Sequence, residues 1–280
     1  MHAIYERLLT KIAKHWIAGN SLEDAIESVK SANKLGIHAI INYLGEHIID
    51  KSIIDHTVEE YIEILDKIDE EKLDCSISLK PTQLGLDITY DEYYKNINKI
   101  LEYANKKFVW IDMESYSYLD SSIESYLQLL KSYDNIGIAV QAYLRDITVY
   151  VAELLDANAS IRLVKGAYRE DANIVFKSKG MVDRNYIKIM QLLFKYGNYF
   201  AIATHDQKII DEALKLSKIY KTRFEFQMLK GIRDDLKKIL VSKGYSVGEY
   251  IPYGSKILEY SLRRIKEHPT NILLLVRSLI

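Results

Sequence analysis

Eight short runs of β-branched and aromatic residues recur along the chain, separated by longer segments with helical periodicity. The runs are Gly36–Leu44, Cys75–Leu79, Phe108–Asp112, Ile136–Tyr143, Ile161–Lys165, Phe200–Thr204, Arg223–Met228 and Val247–Ile251. They begin roughly 23 to 39 residues apart, which is the size of one βα unit. Eight successive units predict an α/β chain folded as a (β/α)₈ barrel with an additional N-terminal helix, and a doubly wound open sheet is the alternative.

The length of 280 residues is compatible with one domain or two. No Pro-, Gly- or Ser-rich linker interrupts the pattern, so we expect a single domain over residues 1–280, with a helical segment at 1–34 and the barrel at 35–280. The 38 Lys and Arg nearly balance the 39 Asp and Glu, which argues against a nucleic-acid binder. No strand is followed by the three-glycine fingerprint of a dinucleotide-binding unit, so a nucleotide cofactor would need another kind of site.

The location of the protein is predicted from what the sequence lacks. Cys75 is the only cysteine, so an internal disulfide is impossible and a reducing cytoplasmic setting is expected. The N-terminus has no apolar signal core, and the apolar stretch at Ile272–Val276 is too short to span a bilayer. Peripheral contact with the inner face of the membrane is compatible with this composition. The seven histidines form no cluster at ligand spacing, so no metal is expected.

Several helix starts can be predicted from capping residues. Ser21–Asp24 and Thr57–Glu60 resemble capping boxes, in which a hydroxyl and an acidic side chain satisfy free backbone N–H groups. Asp120, Asp206 and Ser255 are predicted as N-caps of further helices.

Polar side chains stand at the ends of nearly all the runs. They are Glu46, Lys80, Asp112, Gln141, Lys165, Thr204, His205 and Gln227, and Gly166 follows Lys165. In a (β/α)₈ barrel the carboxyl ends of the strands meet at one mouth, where active sites are built. A single polar strand end is usually only a solvated residue, but a set of both charges around one mouth favours a ligand site.

Arg162 lies inside a run, and alternation places it on the same face as Val164. It either points into the barrel as part of the site, or lies at the surface, or forms a structural ion pair with a neighbouring strand. A second pattern follows the last run, where Tyr260, Arg263, Arg264 and Glu267 share one face of a predicted C-terminal helix over the barrel mouth. Paired guanidiniums bind carboxylates bidentately, and Glu267 would hold one of them in place; a solvated charged face is the alternative.

These motifs resemble those of the proline dehydrogenase family. The matching segments are Asn42–Glu46, Ile111–Glu114, Val140–Tyr143, Ile161–Tyr168, Ala203–Asp206, Phe224–Leu229, Tyr250–Gly254 and Tyr260–Glu267. The resemblance implies a distorted (β/α)₈ barrel that binds FAD at its mouth. It also implies oxidation of L-proline to Δ1-pyrroline-5-carboxylate, the first step of proline catabolism, by hydride transfer to flavin N5.

The resemblance also implies roles for individual residues. Asp112 and Arg162 match catalytic residues of the inner site. Substrate contacts are implied for Lys80, Tyr168, Leu229, Tyr250, Tyr260, Arg263, Arg264 and Glu267. FAD contacts are implied for Met113, Gln141, Arg162, Val164, Lys165, Gly166, Ala167, Thr204 and His205. The segment Lys179–Asp183 is expected to be a short loop near the nucleotide part of FAD.

The resemblance further implies a monofunctional enzyme whose electron acceptor is a membrane quinone or another protein. The 22 tyrosines suit interfaces and are compatible with an oligomer. Two alternatives remain at this stage: a flavin-binding barrel acting on another cyclic amino acid such as hydroxyproline, and a weakly active subunit of a larger complex.

Overall fold

The computed structural model describes residues 16–254. Its strands are β1 (His38–Tyr43), β2 (Cys75–Leu79), β3 (Val109–Ile111), β4 (Ile136–Gln141), β5 (Ser160–Val164), β6 (Tyr199–Ala203), β7 (Arg223–Leu229) and β8 (Val247–Tyr253). Its helices are α1 (Leu22–Asn33), α2 (Lys51–Glu70), α3 (Tyr90–Ala104), α4 (Leu119–Leu129), α5 (Ile147–Asp156), α6 (Lys179–Tyr196), α7 (Gln207–Ile219) and α8 (Asp234–Ser242). Two 3₁₀ turns, Pro81–Leu84 and Tyr116–Tyr118, follow β2 and β3.

The eight strands form one closed barrel in sequence order, with every neighbouring pair parallel. β1 pairs with β8 from His38 opposite Gly248 to Tyr43 opposite Tyr253, which closes the ring. Each of the eight predicted runs overlaps one strand, so the barrel is confirmed and the open sheet is wrong. The runs read as continuous apolar stretches because a parallel strand in a barrel is covered on both faces.

The helix starts confirm some of the predicted caps and contradict others. Ser21 caps α1 with the predicted capping box, and Asp206 caps α7. Thr57 was predicted as a cap but lies two turns inside α2, which begins after Asp50. The Asp50 side chain accepts hydrogen bonds from the free backbone N–H groups at this helix start. Asp120 was also predicted as a cap and instead lies in the first turn of α4. Both errors arise because a Thr or Asp at an N-cap cannot be distinguished by sequence from one inside the first turns of a helix.

The predicted N-terminal helical segment lies partly outside the described residues, as do Ser255 and the whole predicted C-terminal helix. Within the described part, α1 precedes β1 and packs against β1 and β8, which makes it the additional helix. No helix within residues 16–254 is both long and apolar enough to cross a membrane.

The apolar core lies mainly between the barrel and the helices around it. The interior of the barrel holds a much smaller apolar cluster of Ile40, Trp110 and Ala201. The other buried interior positions include Ser76, Ser78, Arg162, Glu225 and Gln227. Because buried polar groups need partners, these side chains are expected to bond to one another or to a ligand at the mouth.

Candidate active site

Asp112 is the centre of the polar network at the barrel mouth. It follows β3, and its Oδ2 accepts hydrogen bonds from Lys80 Nζ at 2.8 Å and Tyr250 Oη at 2.7 Å. Its Oδ1 accepts from Arg162 Nη1 at 2.6 Å and Ser78 Oγ at 2.9 Å. The structure thus brings together four of the predicted site residues, Lys80, Asp112, Arg162 and Tyr250, from four different strands or strand ends.

The charges in this network determine its protonation states. Burial alone would raise the pKa of Asp112, but the charges of Lys80 and Arg162, with the hydrogen bonds from Lys80 and Tyr250, hold that pKa far below its usual range. Burial would likewise lower the pKa of Lys80, and the charge of Asp112 instead raises it well above its usual value. Asp112 is therefore ionised and Lys80 is protonated at neutral pH.

Arg162 points into the barrel, so its predicted surface alternative is wrong. Its guanidinium lies over the ring of Trp110, 4.5 Å from the centroid, and 5.6 Å from that of Tyr250. Its Nε donates to Gln227 Oε1 at 2.6 Å. The ion pair that it forms reaches across the interior to Asp112 after β3, rather than to a neighbouring strand.

Lys165 forms a second charged cluster on the other side of the mouth. Its Nζ donates to Asp183 at 2.5 Å and to Asp206 at 2.8 Å, and Lys179 pairs with the same two carboxylates. Burial would raise the pKa of Asp206, but the two lysines outweigh it and depress that pKa strongly. The cluster joins the ends of β5 and β6 to the start of α6.

The expected loop at Lys179–Asp183 is wrong, because these residues form the first turns of α6. Ser178 caps this helix by accepting a hydrogen bond from the backbone N–H of Met181. Lys179 and Asp183 are four residues apart and face each other on the helix surface. Their pairing with Lys165 and Asp206 stabilises the helical start.

Gly166 and Gln141 lie at the mouth where FAD contacts were predicted. Gly166 has a φ of +108°, and a Cβ there would come within 2.1 Å of the Tyr143 ring, so only glycine fits. Gln141, at the end of β4, donates from Nε2 to the Met113 carbonyl at 3.3 Å. Val164 and Ala167 lie beside Gly166 in the same strand end and loop.

Thr204 and His205 follow β6 at the mouth. Thr204 Oγ1 accepts from the backbone N–H of Asp206, and His205 Nε2 accepts from that of Leu229 at 3.0 Å. Because Nε2 is the acceptor, a neutral His205 carries its proton on Nδ1. Leu229 is itself a predicted wall of the substrate site and is held in place by this contact.

Tyr168 lies across the mouth, where its hydroxyl donates to Glu46 at 3.4 Å. It therefore links the loop after β5 to the loop after β1. The other predicted substrate contacts, Tyr260, Arg263, Arg264 and Glu267, lie outside the described residues.

Three residues of the inner network were missed as site residues: Ser78, Trp110 and Glu225. Gln227 was predicted only as a polar strand end at the mouth, without a role of its own. Period-two alternation could have found them, because each shares a strand face with a predicted site residue. Ser78 lies two residues before Lys80, and Trp110 lies two residues before Asp112. Glu225 and Gln227 lie four and two residues before Leu229.

Comparisons with known proteins agree with this geometry. The family model described as proline dehydrogenase matches residues 25–272. The chain belongs to the proline dehydrogenase family. Proline dehydrogenase 2 of Bacillus subtilis strain 168 is 36% identical over 278 residues, covering 94% of this chain and 92% of that protein. Proline dehydrogenase of Deinococcus radiodurans is 33% identical over 281 residues, covering 96% and 90%.

Solved structures show the same barrel. Proline utilization A from Bdellovibrio bacteriovorus, in a form inactivated by N-propargylglycine, superposes with a TM-score of 0.86 at 25% identity. The match covers 96% of this chain but 34% of that chain, so this member of the proline dehydrogenase family corresponds to about a third of the larger protein. Proline utilization A from Corynebacterium freiburgense has the same fold, with a TM-score of 0.80 at 20% identity.

Two buried polar atoms at the mouth fit a flavin, the kind of cofactor the family implies. Arg162 Nη2 and Gln141 Oε1 have no hydrogen-bond partner among residues 16–254. Such atoms are costly unless a ligand or water satisfies them. One is a donor and the other an acceptor, and the edge of an isoalloxazine ring offers both acceptors and an N–H donor. The polar groups present therefore suit this cofactor.

Proposed function

We propose that this chain is an FAD-dependent proline dehydrogenase that oxidises L-proline to Δ1-pyrroline-5-carboxylate. The observation that carries the proposal is the buried network of Lys80, Asp112, Arg162 and Tyr250 at the mouth of a barrel that belongs to this family. When bound, FAD accepts a hydride from the ring carbon next to the proline nitrogen.

Lys80 supplies positive charge for the substrate carboxylate. It is held protonated by Asp112, and an ammonium group on a partly buried wall attracts a carboxylate without a change of protonation state. By the family resemblance, Arg263 and Arg264 complete this carboxylate site. Leu229 and Tyr250 supply an apolar wall and an aromatic ring for the apolar part of a pyrrolidine.

Arg162 acts on the cofactor, whereas Lys80 acts on the substrate. Its guanidinium is a planar cation, and its Nη2 is the donor available to a flavin. A fixed positive charge there stabilises negative charge that develops during reduction.

Asp112 acts as an anchor for the two cations and not as a base. Both of its oxygens accept hydrogen bonds already, and its depressed pKa makes it a poor proton acceptor. The proline ammonium therefore loses its proton to solvent, and we expect activity to rise with pH. Met113, Gln141, Val164, Lys165, Gly166, Ala167, Thr204 and His205 are proposed to line the FAD site.

The reduced cofactor must be reoxidised by a second substrate. The family resemblance supports a membrane quinone or another protein as the acceptor. We propose that the chain acts in the cytoplasm and meets such an acceptor at the inner face of the membrane.

The visible spectrum of the purified protein tests the proposal. The protein is reconstituted with FAD under anaerobic conditions, and L-proline is added, with hydroxyproline in a parallel sample. We expect proline to bleach the flavin bands at a lower concentration than hydroxyproline does. A protein that binds no FAD, or whose bound flavin stays oxidised with proline, would show that the proposal is wrong.

One variant distinguishes binding of the substrate carboxylate from binding of the cofactor. Arg263→Met is expected to raise the KM for proline steeply while FAD remains bound. Loss of FAD from this variant would contradict the role of Arg263 as a carboxylate contact.

A further inference from the structure

A hydrogen-bonded chain continues from Arg162 into the barrel interior. Arg162 Nε donates to Gln227 Oε1 at 2.6 Å, and Gln227 Nε2 donates to Glu225 Oε1 at 2.8 Å. Gln227 and Glu225 are two residues apart on β7, so both face inward, and they are 3% and 6% exposed. Neither residue is among those predicted to contact substrate or FAD.

The direction of this chain depends on Glu225. A glutamine amide has an oxygen that only accepts and a nitrogen that only donates, and the two can exchange places by a rotation of 180°. The Nε–H of Arg162 can only donate, so it needs the oxygen of Gln227. A carboxylate can only accept, so Glu225 attracts the amide nitrogen and turns the oxygen toward Arg162.

We propose, on the basis of the proposed function, that Glu225 is a positioning residue that fixes the amide of Gln227 and thereby the guanidinium of Arg162. The guanidinium is then held at Nε by Gln227, at Nη1 by Asp112 and Ser78, and on one face by Trp110. Nη2 is left to face the cofactor site.

The Glu225 carboxylate lies beside Gly248, where the absence of a side chain leaves space for it. Gly248 on β8 lies opposite Gln227, and a Cβ on Gly248 would be 2.7 Å from Glu225 Oε1 and 3.1 Å from its Cδ. Any larger residue would therefore displace the acceptor of the Gln227 bond. Burial raises the pKa of Glu225, while the charge of His38, the bond from Gln227 and the charge of Arg162 oppose that rise.

Loss of this positioning has a specific kinetic consequence. Without the Glu225 acceptor the amide of Gln227 can rotate, and its nitrogen would then face the Nε–H of Arg162. The guanidinium loses one anchor and its Nη2 moves relative to the cofactor. Lys80 and the carboxylate side of the site are unchanged, so kcat falls while the KM for proline does not.

Three variants and a control test the proposal. Glu225→Leu removes the acceptor, Glu225→Gln removes the charge but keeps an acceptor oxygen, and Gly248→Ala displaces the carboxylate. The matched control is Glu60→Leu, which removes a carboxylate that accepts a hydrogen bond from Tyr253 Oη at 2.6 Å on the outer side of the barrel. For each protein the measurements are kcat, the KM for proline, the melting temperature and the reduction potential of bound FAD.

We expect Glu225→Leu and Gly248→Ala to lower kcat by about 100-fold, the typical cost of a displaced catalytic group. The KM for proline should stay within about threefold of the wild type, since the carboxylate site is intact. Glu225→Gln should retain most of kcat, and Glu60→Leu should lower the melting temperature without lowering kcat.

The reduction potential separates positioning from a simple effect of charge. Removing a buried negative charge would by itself raise the potential, whereas displacing the Arg162 charge lowers it. We therefore expect a lower potential in Glu225→Leu than in the wild type. If Glu225→Leu fails to fold, Gly248→Ala tests the same contact.

The outcomes distinguish this proposal from the proposed function. If wild-type flavin is not bleached by proline, the proposed function itself is wrong. If the wild type is bleached, a normal kcat in Glu225→Leu or Gly248→Ala overturns the role of Glu225. A kcat as low in Glu225→Gln as in Glu225→Leu, or a raised potential in Glu225→Leu, also overturns it.

Discussion

Asp112→Asn tests whether the inner network depends on one buried charge. The substitution keeps the shape of the side chain but removes its charge. Lys80 and Arg162 then remain close together, and their shared counter-ion is lost. The Asp112 side chain is 14% exposed, so water compensates little for this loss.

The distances give the magnitude. At an effective dielectric constant of about 20, a pair of charges 2.8 Å apart attracts by about 6 kcal/mol, before the cost of desolvation is subtracted. Removing one partner of a buried pair typically costs about 3–5 kcal/mol of unfolding free energy. At about 2–4 °C per kcal/mol, Asp112→Asn should lower the melting temperature by roughly 6–20 °C.

Thermal unfolding of wild type, Asp112→Asn, Lys80→Met and the double variant is the assay. Lys80→Met should cost less than Asp112→Asn, because Asp112 keeps its bonds from Arg162, Ser78 and Tyr250. The double variant should be more stable than the sum of the single losses predicts, by about 0.5–3 kcal/mol, since removing Lys80 relieves its repulsion with Arg162.

The pH dependence supplies a second check. The pKa of Asp112 is depressed in the folded protein, so its stabilisation is fully present above the ordinary carboxyl pKa of about 4 and is lost as the pH falls below that value. The difference between wild type and Asp112→Asn should therefore be constant near neutrality and shrink in acid. Equal melting temperatures at neutral pH would refute the reasoning.

Two further substitutions test the mouth of the barrel. Gly166→Ala should destabilise the protein by about 3 kcal/mol or more, because its Cβ would overlap the Tyr143 ring and its φ is positive, whereas Gly180→Ala in an open helical position should be tolerated; equal melting temperatures for the two variants would contradict this. Arg162→Lys keeps the charge but loses the planar contact with Trp110 and several donors, so kcat should fall by about 10- to 100-fold at a similar proline KM; an unchanged kcat would count against its role.

The strands could be predicted from the sequence because both faces of each strand are buried. Apolar residues therefore fill consecutive positions, as in Ile136–Val140, and polar residues appear where the strand reaches the mouth. Helix starts were less predictable, because the hydroxyl of Thr57 could cap a helix or bond within one. In the structure it bonds to the Ile53 carbonyl inside α2, while Asp50 is the cap.

The start of α6 depends on contacts distant in sequence. Lys179 and Asp183 could stand in a loop or a helix by local preference alone. Their pairing with Lys165 and Asp206, which come from the ends of two strands, favours the helix. Local sequence contains no information about that pairing.

The sequence by itself determined the eight βα units and the polar character of their strand ends. It also determined, through period-two alternation, which side chains share a face with Asp112 and Arg162. Only the closed barrel decided that Arg162 reaches Asp112 and Ser78 across the interior, and that Glu225 stands behind Gln227. The physical reason is that alternation sets the direction of a side chain, whereas the tilt, stagger and closure of the strands set which side chains meet at the same height.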